Sequence, residues 1–157
     1  MVKKRGADET PFMEAPAYGR SLKGLTINLL VKDIVRSVAF ETDVLGAAVV
    51  YADADFAVLR WRAPGAGEDE MAEWMLHADH TYSSHPLLGL TGDGTLRGVG
   101  AEFRLHGCDP DAAVARALKR GHVVLATPAD KPHGLREAYI ADPDGYVWVP
   151  DVPLADE

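Results

Sequence analysis

Apolar and polar positions alternate through the stretch LTINLLVKD, residues 25–33. Ile27, Leu29 and Val31 fall on one side, and Thr26, Asn28 and Leu30 on the other, which predicts a half-buried strand. Asp33 is placed to cap a helix over DIVRSVAFETDVL, and Gly46 to stop it. AAVVYA, FAVLRWRA and MAEWMLHA then read as three strands, the last two separated by the polar loop APGAGEDE. TYSSHPLLGLTGDGTLRG is rich in turn residues, has no period, and reads as a connector. The pattern then restarts. GAEFRLHG alternates Ala101, Phe103 and Leu105 with Glu102, Arg104 and His106. Asp109 caps a helix with Pro110 at its first position, DPDAAVARALKRG, which Gly121 ends. HVVLATP, LREAYI and YVWVP supply three further strands.

The two halves superimpose. With Asp33 set on Asp109, Val38 meets Val114, and the helix-ending glycines differ by one position. AAVVYA lies over HVVLAT, and Trp74 over Trp148. This is an internal repeat of strand, helix and three strands. The expected fold is α+β: two βαβββ modules forming a curved, cup-shaped mixed sheet with the helices outside. The expected organisation is an arm over 1–23, a first module over 24–81, a connector over 82–97, a second module over 98–152 and a tail over 153–157. A partly apolar cup is the default place for a ligand.

At 157 residues the chain suits one domain that buries roughly 70% of its unfolded surface. Its balance of 47% apolar and 25% charged residues is that of a globular protein, not a disordered one. No apolar run approaches the roughly 20 residues that span a bilayer. The first residues, MVKKRGADETPFMEAPAYG, lack the apolar stretch of a signal peptide, so the expected location is cytoplasmic. A net charge of −8 argues against binding nucleic acid or anionic membranes, and suits a neutral or cationic small ligand. The single cysteine, Cys108, rules out an internal disulfide. It stands beside a helix start that could activate it, but no base adjoins it, so it reads as a small semi-buried residue.

The run VKDIVRSVAFETDVLG and the ending LREAYIADPDGYVWVP resemble the vicinal oxygen chelate superfamily, which includes glyoxalase I, extradiol dioxygenases, fosfomycin-resistance enzymes and bleomycin-resistance proteins. Val31, Asp33, Ser37, Phe40, Leu45 and Gly46 carry the resemblance in the first module, and Asp142, Pro143, Asp144 and Gly145 in the final turn. It covers about residues 24 to 152. Where the family often has an aromatic after Phe40, this chain has Glu41.

Metal-dependent members of that family take ligands from the first and last strand of each module. The resemblance maps these four positions onto Thr26, Met75, Glu102 and Val149. One carboxylate and one hydroxyl do not make the closed oxygen or imidazole set that a divalent ion needs. No metal ligand and no cofactor are therefore expected. His77, His80 and His85 crowd the end of the fourth strand, and His106, His122 and His133 lie in the second module. His77 and His80 point to opposite faces of a continuous strand, so they are read as local hydrogen-bonding residues.

No nucleophile-elbow pattern occurs, GDGT at 92–95 is too short for a phosphate loop, and Asp142 and Asp144 are read as fixing their own turn, so no catalytic residue is assigned. Thr26, Asn28, Met75, Glu102, Arg104 and Val149 are the expected ligand-facing positions of the cup, with Tyr82 and His85 added by a connector that forms a lid or a dimer wall. Glu102 and Arg104 on that face are either paired or used by a ligand, or else solvated. Trp74 and Trp148 read as core.

The leading expectation is a homodimeric, metal-free small-molecule binding protein similar to the bleomycin-resistance branch, sequestering a cationic or aromatic compound such as an antibiotic. The alternatives are a lyase, isomerase or dioxygenase with a shifted metal site built on Glu102 and histidines, and a ligand-free accessory module with a filled cup.

Overall fold

The computed structural model describes residues 13–81, 85–87, 89–92 and 94–155. Both expected modules are present. In the first, β1 (Ile27–Val31) leads into α2 (Ile34–Phe40), then β2 (Ala48–Ala52), β3 (Phe56–Arg62) and β4 (Met71–Ala78). In the second, β5 (Glu102–His106) leads into α3 (Pro110–Lys119), then β6 (Val123–Asp130), β7 (Leu135–Ala141) and β8 (Val147–Pro153). Each module forms one mixed four-stranded sheet, in the orders β1-β4-β3-β2 and β5-β8-β7-β6. The first and last strands of each module pair in parallel, and the other pairs are antiparallel. This is an open α+β architecture.

The caps behave as the residue types require. The Asp33 carboxylate accepts the Arg36 N–H, and Asp109 accepts those of Asp111 and Ala112. The first helix departs from expectation: it is α-helical only to Phe40 and continues as a π-helical turn, Glu41–Leu45. That wider turn brings Glu41, Val44 and Leu45 all inward. Gly46 closes it at φ 80°, a left-handed conformation that favours glycine.

One hydrophobic core serves both modules. Leu29, Val38, Phe40 and Leu76 from the first join Leu105, Val114, Ile140 and Trp148 from the second. The rings of Trp74 and Trp148 meet at 5.0 Å in the middle. Both tryptophans are core residues, 2% exposed, because the strand register turns them to the helix-bearing face of their sheets. Cys108 is also buried here, and burial pushes its thiol up to about 11, so the helix start does not activate it.

Polar contacts lock the modules together. The Arg116 guanidinium donates to the Val44 carbonyl at 2.9 and 2.7 Å. Asp144, in the turn between β7 and β8, accepts the Lys32 N–H at 3.1 Å and the Ser37 hydroxyl at 3.3 Å. Asp142 fixes its own turn as expected, accepting the N–H groups of Asp144 and Tyr146, both at 2.9 Å. The connector lies on this turn so closely that a Cβ on Gly98 would stand 2.4 Å from the Tyr146 backbone.

A short helix, α1 (Ala15–Ser21), falls where only an arm was expected. Seven residues containing Pro16 and Gly19 carry no clear helical signal, and so short a helix is not stable alone. Packing supports it: the Tyr18 ring meets Phe56 edge-on at 5.8 Å. Phe56 lies on the face of the first sheet opposite the helices, so α1 touches that open face at this ring.

Candidate functional site

Each sheet has one face in the shared core and one turned away from it. Alternation decides which residues occupy the second, open face. In the first module Leu29 enters the core, so Asn28 and Leu30 face out, beside Met75 and His77 of β4. In the second, Phe103 and Leu105 pack inward, so Glu102, Arg104 and His106 face out, beside Val147, Val149 and Asp151 of β8. Glu137 pairs with Asp151 and shares that face.

The open face of the second module carries a charged network. The Arg104 guanidinium donates to Glu137, to Asp151 at 3.2 Å and to Glu102 at 3.3 Å. His106 Nδ1 lies 2.8 Å from Asp151, and His133 Nε2 lies 3.1 Å from Glu137. The Tyr139 hydroxyl donates to Glu137 at 3.1 Å. The side chains of Glu137 and Asp151 are 3% and 1% exposed, so Arg104 is the cation that makes their burial tolerable. Burial alone would raise the pKa of the Glu137 carboxyl. Hydrogen bonds from Arg104, His133 and Tyr139 outweigh it and hold the carboxyl below its ordinary value. Burial, and then the same carboxylate, push the Tyr139 phenol up. Arg104 is paired, while Glu102 is both paired with it and solvated, its side chain 47% exposed. The exposed imidazoles of His106 and His133 are each oriented by a buried carboxylate.

The open face of the first module is aromatic. His77 Nδ1 lies 2.6 Å from the Asn28 amide oxygen, and its ring is 4.6 Å from Phe56. Tyr51 flanks Phe56 at 6.3 Å and donates to Asp53 at 2.6 Å. Burial, and the nearby His85, lower the His77 pKa, so its neutral form is favoured. His80 instead reaches Asp55 at 2.8 Å, on its own strand end.

The residues expected to face a ligand therefore divide into two sets. Asn28 and Met75 lie on the first sheet, and Thr26, one residue before β1, falls on the same side by alternation. Glu102, Arg104 and Val149 lie on the second sheet. Val149 is 0% exposed, so a ligand reaches it only by moving its neighbours. His85 stands near His77, and its Nδ1 accepts the Leu87 N–H at 3.2 Å. Tyr82 lies outside the described residues. Sequence reasoning missed Glu137, Tyr139 and Asp151, and took His133 only as a locally hydrogen-bonding residue. A signal existed for two of them: LREAYI alternates, which sets Glu137 and Tyr139 opposite the buried Ala138 and Ile140.

The mapped metal positions do not fit a divalent ion. The side chain beside Met75 is the Asn28 amide, and the one beside Val149 is the Arg104 guanidinium. A guanidinium repels a metal ion and already occupies the carboxylates. Among the described residues no group of three or more His, Cys, Asp or Glu is arranged to hold a metal.

A family model described as the glyoxalase/bleomycin resistance protein/dioxygenase superfamily matches residues 25–149. The chain belongs to this superfamily. Solved structures agree on the fold. A glyoxalase-related enzyme from Fulvimarina pelagi aligns with a TM-score of 0.59 at 18% identity, covering 83% of this chain and 87% of that one. A superfamily enzyme from Burkholderia phytofirmans PsJN gives 0.60 at 19% identity, covering 82% and 97%. A superfamily protein from Nocardioides gives 0.57 at 22%, covering 90% and 94%. No curated protein sequence matches the chain. No described helix is long and apolar enough to cross a membrane. Superfamily membership brings the fold and not a reaction, since this fold serves many chemistries.

Proposed function

We propose that the chain is a metal-free small-molecule binding protein of this superfamily, acting as a homodimer that sequesters a cationic or aromatic compound such as an antibiotic. The observation that carries the reading is the Arg104 network. It places three carboxylates, Glu102, Glu137 and Asp151, around one guanidinium on an open sheet face, where a metal-binding relative would place ligands. Glu102, the half-exposed carboxylate of the network, favours an organic cation. The first module's open face supplies Tyr51 and His77 for stacking, beside the Phe56 ring that Tyr18 of α1 meets edge-on. One chain keeps these two faces on opposite sides of a common core. A second copy would bring one face of each kind together and close a cleft, which supports the dimer.

A thermal-shift panel of aromatic amines, quaternary ammonium compounds and neutral isosteres tests this. A ligand at a hundred times its Kd stabilises by about 2.7 kcal/mol, which raises Tm by several degrees. Glu102→Lys, at a half-exposed carboxylate, is expected to weaken a cationic hit at least tenfold by titration calorimetry. A panel with no cationic or aromatic hit overturns the ligand class. Near-stoichiometric metal retained after dialysis of untagged protein against Mn²⁺, Fe²⁺, Ni²⁺ and Zn²⁺, and then against metal-free buffer, overturns the metal-free reading.

A further inference from the structure

A cavity of about 540 Å³ lies at the end of the second sheet, away from His106 and Asp151. It is bounded by the connector, the turn between β7 and β8, the start of β6 and the start of α2. Its volume is that of a small-molecule site. Its walls are apolar and open: Leu96, Val99, Val123 and Leu125 line it and are 66%, 79%, 60% and 57% exposed. Four large apolar side chains around one opening form a patch that water alone does not favour.

The rim of this cavity is basic. Lys32, Arg36 and His122 line it. Arg36 and Arg120 stand near enough to His122 to disfavour its protonation, burial being the larger cause. Arg60, Arg97, Arg104, Arg120 and Arg136 each hold a carboxylate. Arg36 and Lys32 hold none among the described residues, in a chain of net charge −8. The two carboxylates in the floor are committed elsewhere. Asp142 accepts from its own turn and from the Trp148 indole at 3.4 Å. Asp144 accepts from Lys32 N–H and Ser37 and faces Arg97 at 3.6 Å.

We propose that this cavity is a second ligand site, taking a carboxylate with an apolar body. Lys32 and Arg36 hold the acid group, and Leu96, Val99, Val123 and Leu125 seat the body. Its charge preference is opposite to that of the Arg104 face, so the two sites select different compounds.

Decanoate and decyltrimethylammonium, both below their micelle concentrations, are the probes for titration calorimetry. Decanoate is expected to bind at least tenfold more tightly than the cation. Lys32→Glu/Arg36→Glu, at two exposed positions, is expected to lose at least tenfold in decanoate affinity, and the milder Lys32→Gln/Arg36→Gln part of that loss. Amide shifts on decanoate addition are expected around residues 94–99 and 121–125. The proposal is overturned if decanoate does not bind, if the doubly reversed variant binds it within twofold of the natural chain, or if the shifts fall only on β5 and the Arg104 face.

Discussion

Arg97→Ala is expected to destabilise the protein by about 3–5 kcal/mol, the cost of leaving a buried ion pair without one partner. The Arg97 side chain is 1% exposed. It donates to both Asp79 oxygens at 2.7 and 2.6 Å, and to the Leu30 carbonyl at 2.8 Å. Its Nε faces the Asp144 carboxylate, itself 3% exposed, at 3.6 Å. Burial disfavours the charged guanidinium, but the two aspartates outweigh that and hold it charged. One side chain thus ties the connector to the end of β4, to β1 and to the turn of the second module. Removal strands Asp144 in the core and takes one of two donors from the Leu30 carbonyl, leaving the Tyr146 hydroxyl. For a domain of this size the loss lowers Tm by about 10 °C or more. Arg97→Lys keeps the charge without the fork and should recover only part of the stability. Urea unfolding at neutral pH measures both variants, and a loss below about 1 kcal/mol for Arg97→Ala would refute the clamp.

The second large effect is a loss of stability as pH rises from the carboxylate range toward neutrality. Glu41 is 0% exposed in the shared core, and neither carboxyl oxygen has a hydrogen-bond partner. Burial pushes its pKa well above the ordinary 4.5, and the nearby Asp142 pushes it further. The neighbouring Trp74 indole favours the charged form, yet its Nε1 makes no hydrogen bond of normal geometry. Asp142 is also raised, by burial, from 3.8 to about 6. Both groups bind a proton more tightly folded than unfolded. Their contribution is therefore fully present below the unfolded values and is lost as pH rises through the folded ones.

For Asp142 the rise corresponds to about 3 kcal/mol lost between roughly pH 4 and 6. His77 and His122, both lowered, act in the opposite sense as pH falls, and so does Glu137 below its ordinary range. Comparing wild type with Glu41→Gln at each pH cancels these terms. The expected result is that the wild type loses at least about 1 kcal/mol relative to Glu41→Gln between pH 5 and 8, the ordinary cost of a buried group without a partner. Parallel stability curves would remove Glu41 as the source. Glu41→Leu, which deletes the buried carboxyl altogether, is expected to be more stable than wild type at pH 8.

These two effects also mark where sequence reasoning stopped. The repeat, the capping aspartates, the strand alternation and the Asp142 turn were all readable, because each rests on residues a few positions apart. Glu41 was visible as a departure from the family's habit at the position after Phe40. Its burial was not, because it depends on a π-helical turn that no local pattern announces. Arg97 lay in a connector without a period, and its partners come from positions as distant as Leu30 and Asp144.

Local sequence patterns suffice for the α+β class, the two modules, the core role of Trp74 and Trp148, and the side of each strand that Asn28, Glu102 and Arg104 occupy. Period-two alternation and helix capping are local and leave little choice. Only the folded chain joins Arg104 to Glu137 and Asp151, packs Tyr18 of α1 on Phe56, and sets the two open faces on opposite sides of one core. Those outcomes depend on strand order and on how two half-buried sheets share apolar surface. That is a balance of burial and charge over the whole chain, and no short stretch of it carries the answer.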